Sequence, residues 1–150
     1  MIYFVDEDVI QLEPFKIELR IQGYEVENII NADEAFDVLS KTNNDLRLAI
    51  IDVMLAADEN PGASKYDRAK TRDYLQTGLC LLKDLIEVRP DIFPKRALLF
   101  SMASDRKLIT EIDKVSKDYK IPFLNKNDYT SAVDFGVIID KHIRALGGHQ

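Results

Sequence analysis

Short apolar runs alternate with stretches of helical periodicity along this chain, and the alternation predicts βα units around a parallel sheet. Ile2 to Val5 reads as the first strand, and a helical stretch follows to about Arg20 with Gly23 as its stop. Pro14 sits inside that stretch, where it either belongs to the first turn or kinks the helix. Tyr24 to Ile29 reads as a second strand, and Asn31 with Glu34 has capping-box spacing ahead of the next helix. Leu48 to Val53 is apolar at nearly every position except Asp52, as expected of a central strand covered on both faces. Thr77 to Val88 is a leucine-rich helix closed by Arg89-Pro90, and Ala97 to Phe100 is a fourth strand. Asp105 to Tyr119 carries Leu108, Ile109, Ile112 and Val115 at helical spacing. Ile121 to Leu124 makes a fifth strand, and Tyr129 to Leu146 the last helix, ending at Gly147-Gly148.

A chain of 150 residues can bury a core as one domain without disulfides or metals. At 46% hydrophobic and 31% charged it has ordinary globular composition. No apolar run is long enough to span a bilayer, and acids from Asp6 onward interrupt any signal-peptide pattern, so the expected compartment is the cytoplasm. A net charge of −6 opposes direct nucleic-acid binding, and no membrane contact is expected. The single cysteine, Cys80, lies in an apolar helical run and is expected to be a buried structural thiol.

The chemistry gathers where the strands end. Asp6, Glu7 and Asp8 follow the first strand, Asp52 ends the third, Ser101 follows the fourth and Lys126 follows the fifth. In an open parallel sheet, ligands bind outside the carboxyl ends of the strands, so these distant residues should meet at one edge. Taken singly, Asp52 could be a turn residue, Ser101 a helix cap in competition with Ser104 or Asp105, Phe123 a core residue and Lys126 a solvated charge. Together, a carboxylate nucleophile, neighbouring acids, a hydroxyl and a lysine suit phosphoryl transfer to Asp52 with a divalent cation. His142 and His149 lie far from this set, and no Ser-His-Asp triad, Gly-rich phosphate loop or zinc-ligand spacing competes with it.

The order of motifs resembles the receiver domain of bacterial two-component response regulators. The similar stretches are Tyr3 to Asp8, Ile51 to Leu55, Thr77 to Leu82, Phe100 to Ala103 and Phe123 to Lys126. The resemblance implies an α/β, flavodoxin-like, doubly wound five-stranded parallel sheet of order 2-1-3-4-5 with five helices. It implies Asp52 as phosphoacceptor, and a Mg2+ ion held by Asp6, Glu7, Asp52 and the backbone carbonyl of Met54. Ser101 and Lys126 would bind the phosphoryl group, with Ser101 and Phe123 as the switch pair. Phosphoryl groups would come from a histidine kinase or phosphotransfer protein and be lost by autodephosphorylation, rather than being turned over by an enzyme. Output would pass to a downstream protein partner, with a homodimer through the fourth helix, fifth strand and fifth helix as one option.

Three departures stand out. Glu7 replaces a common aspartate, and Asn127 follows Lys126 where the family has proline, which makes a cis peptide there unexpected. Residues 56–77 form an insertion between the third strand and third helix, against the roughly 2–6 residues usual for such loops. It contains a turn signal over Asp58 to Gly62 and a polar helical stretch from Ser64 to Gln76. Lys65, Arg68, Lys70 and Arg72 make it basic, and Tyr66 and Tyr74 are expected to pack within a short helix, with anchoring to the domain or to a partner as the other reading. These departures motivate an alternative, a degenerate receiver acting as a constitutive interaction module. An aspartyl phosphatase of the haloacid-dehalogenase type would need an acid where Met54 stands.

Overall fold

The computed structural model describes residues 1–43, 45–55, 66, 76–103, 105–129 and 131–147. The turn signal at 58–62, the polar stretch before Gln76, the basic cluster, Tyr74, Ser104 and His149 lie outside the described residues.

Five strands form one parallel sheet: β1 (Ile2–Val5), β2 (Val26–Ile29), β3 (Leu48–Ile51), β4 (Ala97–Ser101) and β5 (Phe123–Asn125). Their order is β2-β1-β3-β4-β5, so the chain reverses direction across the sheet between β1 and β3. The helices are α1 (Glu13–Ile21), α2 (Ala32–Ser40), α3 (Thr77–Val88), α4 (Arg106–Tyr119) and α5 (Ala132–Ala145). Alternate strand residues feed two cores. Ile2, Phe4, Leu48, Ile50, Leu98 and Phe100 pack with Leu19 of α1 and with Phe135, Ile139 and Ile143 of α5. Val5, Ala49, Ile51 and Leu99 pack with buried residues of α2, α3 and α4. With both faces covered, β3 is buried along its whole length, which is why its sequence is uniformly apolar. No helix among the described residues is long and apolar enough to cross a membrane.

Local chemistry sets the boundaries. Pro14 falls in the first turn of α1, where its missing N–H costs no helical bond. The Asn31 side chain accepts from the Glu34 backbone N–H at 2.8 Å and caps α2. Gly23, at φ +100°, turns the chain before β2, which begins at Val26 rather than Tyr24. Tyr24 instead sends its backbone N–H to Leu19 and its hydroxyl to Asp140 of α5 at 2.6 Å. Lys120 ends α4 in the left-handed region, and the Ile121 N–H returns to the Ser116 carbonyl. Pairing in β5 is thereby delayed to Phe123. Lys126–Asp128 forms one turn of 3-10 helix, so α5 starts at Ala132, capped by Ser131. The cis peptide among the described residues is Phe93–Pro94, not the bond after Lys126.

Two contacts close the base of the insertion. The Gly78 N–H donates to the Val53 carbonyl at 2.8 Å. A Cβ on Gly78 would lie 2.0 Å from the Asp52 carbonyl oxygen and 2.8 Å from the Val53 Cα, so only glycine lets α3 start against this strand end. Tyr66 is fully buried in the core shared with α2 and α3, and burial, with Asp84 beside it, pushes its phenol well above the usual range. The anchoring role considered for Tyr66 therefore matches its position, whereas Cys80 is only half-buried.

Gly78→Ala is expected to destabilise the fold by at least about 2 kcal/mol, because backbone rather than a flexible side chain must yield. Urea unfolding of the two proteins measures this, and equal midpoints would show that the helix start can shift freely.

Candidate functional site

Four strands deliver one side chain each to the carboxyl edge of the sheet. Asp6 and Asp52 lie one residue beyond β1 and β3, and their backbone N–H groups continue the ladder to Ile29 and Val5, both at 2.9 Å. Ser101 ends β4, and Lys126 follows β5. Because the strands are parallel and in register, these positions converge at the rim beside the reversal of strand order.

Asp52 is 8% exposed, Asp6 2% and Ser101 0%. The Ser101 hydroxyl donates to Asp52 Oδ1 at 2.6 Å, and the Met54 backbone N–H donates to the same oxygen at 3.1 Å. Lys126 Nζ reaches Asp6 Oδ2 at 2.6 Å and Asp52 Oδ2 at 3.3 Å, joining the two carboxylates through one ammonium. Asp6 Oδ1 accepts from the Asp8 N–H at 2.9 Å, so the tight turn after β1 aims the carboxylate into the cluster. Asp52 Oδ1 thus carries two donors, whereas among the described contacts Oδ2 carries only the longer bond to Lys126.

Two buried carboxylates and one lysine leave excess negative charge. Burial, and then the charge of Asp6, raise the Asp52 carboxyl to about 6, against the opposing pull of Lys126, Ser101 and Met54. Burial works against the Lys126 ammonium, but Asp52 and Asp6 outweigh it and raise its pKa above the ordinary lysine value. The Lys126 side chain is 14% exposed and also lies 5.7 Å from the Phe100 ring centroid.

Of the residues expected at the site, Asp6, Asp52, Ser101 and Lys126 are in direct contact. Met54 is there through its backbone N–H, which donates to Asp52. Glu7 points to solvent at the rim, and among the described residues no three His, Cys, Asp or Glu side chains converge as a metal-holding group. Phe123 is half-buried against the core on the α2–α3–α4 face. His142 is in α5, outside the cluster.

Two asparagines and a lysine at this edge escaped the sequence reading. Asn125 accepts from the Asn127 N–H at 3.0 Å and donates to the Ala103 carbonyl at 3.2 Å, tying the lysine-bearing turn to the loop after β4. Asn28 and Lys16 stand behind Asp6. The signal for Lys16 was present in the sequence, since it interrupts the apolar stripe Leu12–Lys16–Leu19 of α1.

The fold that carries this cluster agrees with solved structures of known proteins. A response regulator receiver domain protein from Methanospirillum hungatei JF-1 superposes with a TM-score of 0.67 at 18% identity, over 97% of this chain and 94% of that one. A receiver domain protein from Clostridium thermocellum gives 0.65 at 19% identity, over 96% and 94%. The signal receiver domain of a signal transduction histidine kinase from Syntrophus aciditrophicus gives 0.64 at 22% identity, over 99% and 93%. No family model matches the sequence, and no curated protein matches it. At these identities the likeness speaks for architecture, and it covers nearly the whole length of each partner. The chain has the fold of response regulator receiver domains, the family that its five motifs resemble.

Proposed function

We propose that this chain is a phosphorylation-dependent signalling switch that accepts a phosphoryl group on Asp52 and signals through altered protein contacts. On this reading it is one receiver domain, with the 56–77 insertion set between β3 and α3. The observation that carries it is the convergence of Asp6, Asp52, Ser101 and Lys126 from four strands onto one carboxylate. A purely structural module would have no use for that excess of buried acid, which opposes folding.

The chemistry follows from the donors on each oxygen. Asp52 Oδ2 is the less encumbered oxygen and would attack the phosphorus of a phosphohistidine or a small acyl phosphate. An Oδ2–P bond forms as the bond from phosphorus to the donor breaks, and the donor leaves with that electron pair. Ser101, held 2.6 Å from Asp52, is placed to turn its hydroxyl onto a phosphoryl oxygen, and Lys126 to pair with the added charge. The residues fit Mg2+, which is usually held by one or two carboxylates together with phosphate oxygens and waters. Asp6 and Asp52 would supply the carboxylates, with Glu7 and the Met54 carbonyl at the rim. When bound, the ion would neutralise charge on the transferring group. Loss of the Ser101 and Lys126 bonds to free Asp52 would bias the loop after β4 and half-buried Phe123, the route by which a local charge change reaches a binding surface. A histidine kinase or phosphotransfer protein is the expected donor, and a downstream protein the expected reader.

Incubation with acetyl phosphate and Mg2+ should add one phosphoryl group by intact mass. Asp52→Asn should remain unmodified, and labelling of that variant would remove Asp52 from the centre of the chemistry.

A second prediction concerns stability in metal-free protein. The folded Asp52 carboxyl, at about 6, lies above its ordinary 3.8, so the folded state binds this proton more tightly than the unfolded state. Ionised Asp52 therefore opposes folding above about pH 6, and the opposition is lost as pH falls from there towards 3.8. Asp52→Asn should accordingly gain about 1–2 kcal/mol at pH 7.5, an advantage that shrinks through that window. Thermal unfolding across pH measures it, and a less stable variant at pH 7.5 would show Lys126 to be the dominant partner.

A further inference from the structure

Among the described residues, Lys16 is the one buried charged side chain outside the Asp6–Asp52 pair, at 3% exposure. It occupies a position on α1 between Leu12 and Leu19, both buried, where leucine or methionine would pack without desolvating an ammonium. Its Nζ pairs with Glu13 at 3.1 Å and donates to Asn28 Oδ1 at 2.8 Å. That second bond fixes which way the Asn28 amide faces. The Asn28 NH2 group then donates to the Phe4 carbonyl at 3.1 Å and to the Asp6 carbonyl at 2.8 Å. Asn28 stands opposite Phe4 in the β1–β2 register, and strand pairing ends one residue later, at Val5 and Ile29. The amide thus grips the chain just past the last paired residue, at the peptide that joins Asp6 to Glu7.

We infer that Lys16 and Asn28 are positioning residues for Asp6, holding the acidic end of β1 in the geometry that takes a divalent cation. The inference rests on the metal-assisted reading above and extends it to a layer of residues that touch neither the cation nor the phosphoryl group. Partners behind a metal ligand commonly change affinity by 10–100-fold when removed. The relay runs from α1 through β2 to β1, and the side chain it positions carries its own two bonds, from the Asp8 N–H and from Lys126.

Two substitutions separate positioning from simple charge. Lys16→Met removes a positive charge, and Asn28→Asp adds a negative one while removing the donors to the Phe4 and Asp6 carbonyls. If local charge alone mattered, both would tighten Mg2+ binding. Positioning requires the reverse, a loss of about ten-fold or more in Mg2+ affinity by calorimetric titration. In the metal-free variants, the Asp8 amide should exchange with solvent about ten-fold faster, because its acceptor Asp6 Oδ1 is no longer held in place. The melting temperature of each metal-free variant establishes that it is folded, and Asn28→Asp carries the test if Lys16→Met does not fold. Unchanged or tighter Mg2+ binding with unchanged Asp8 exchange would overturn the inference. Should the parent bind no Mg2+, the metal-assisted reading falls, and the exchange of the Asp8 amide judges the positioning by itself.

Discussion

Two carboxylates share one ammonium at the carboxyl edge of this sheet, and much of the surrounding structure is arranged around that imbalance. Like charges this close in a poorly solvated place repel unless something intervenes. Lys126 bridges them, Ser101 and the Met54 N–H load one oxygen of Asp52, and the Asp8 N–H fixes one oxygen of Asp6. Burial first, and then the charge of Asp6, still raises the Asp52 carboxyl to about 6. A site left short of positive charge favours an added cation.

The scaffold makes such a site tolerable. The apolar interior is split into two cores by the sheet, and neither depends on the acids. The charged residues sit one position beyond β1 and β3, where a last backbone bond from each continues the ladder before the chain turns. The cost of the buried acids is therefore confined to one rim. Receiver domains share this fold at 18–22% identity, which fits a fold held by pattern and volume more than by particular residues.

Why some of this was legible in the sequence is a matter of range. The strand cores declare themselves because a strand covered on both faces must be apolar throughout, as Leu48–Ile51 is. Asp6, Asp52, Ser101 and Lys126 follow from knowing where such strands end, since the topology then brings the ends together. The misplaced edges have local causes. Gly23 and Lys120 turn the chain through positive φ, so pairing begins later than hydropathy suggests, at Val26 and Phe123. The Asn125 side chain folds residues 126–128 into a 3-10 turn that no periodicity announces. The relay from Lys16 through Asn28 depends on strand register and on which way an amide faces. The odd lysine in an apolar stripe hinted at it, but its partner needed the register of β1 and β2 in three dimensions.

The contact between Gly78 and the end of β3 also bears on how this chain can vary. The 56–75 segment departs after Leu55 and rejoins at Gln76, and the Gly78–Val53 bond pins the two ends together at a neck only a few residues from Asp52. Once a neck is fixed, the entropy of closing the loop above it grows only logarithmically with length, about 0.6 kcal/mol for each doubling. Tyr66, buried in the core with α2 and α3, ties the segment to the domain a second time, so a change of length is cheap only where it leaves that side chain in place. A single missing methyl group thus lets the strand end and the helix start close against each other tightly enough to carry a long segment beside Asp52.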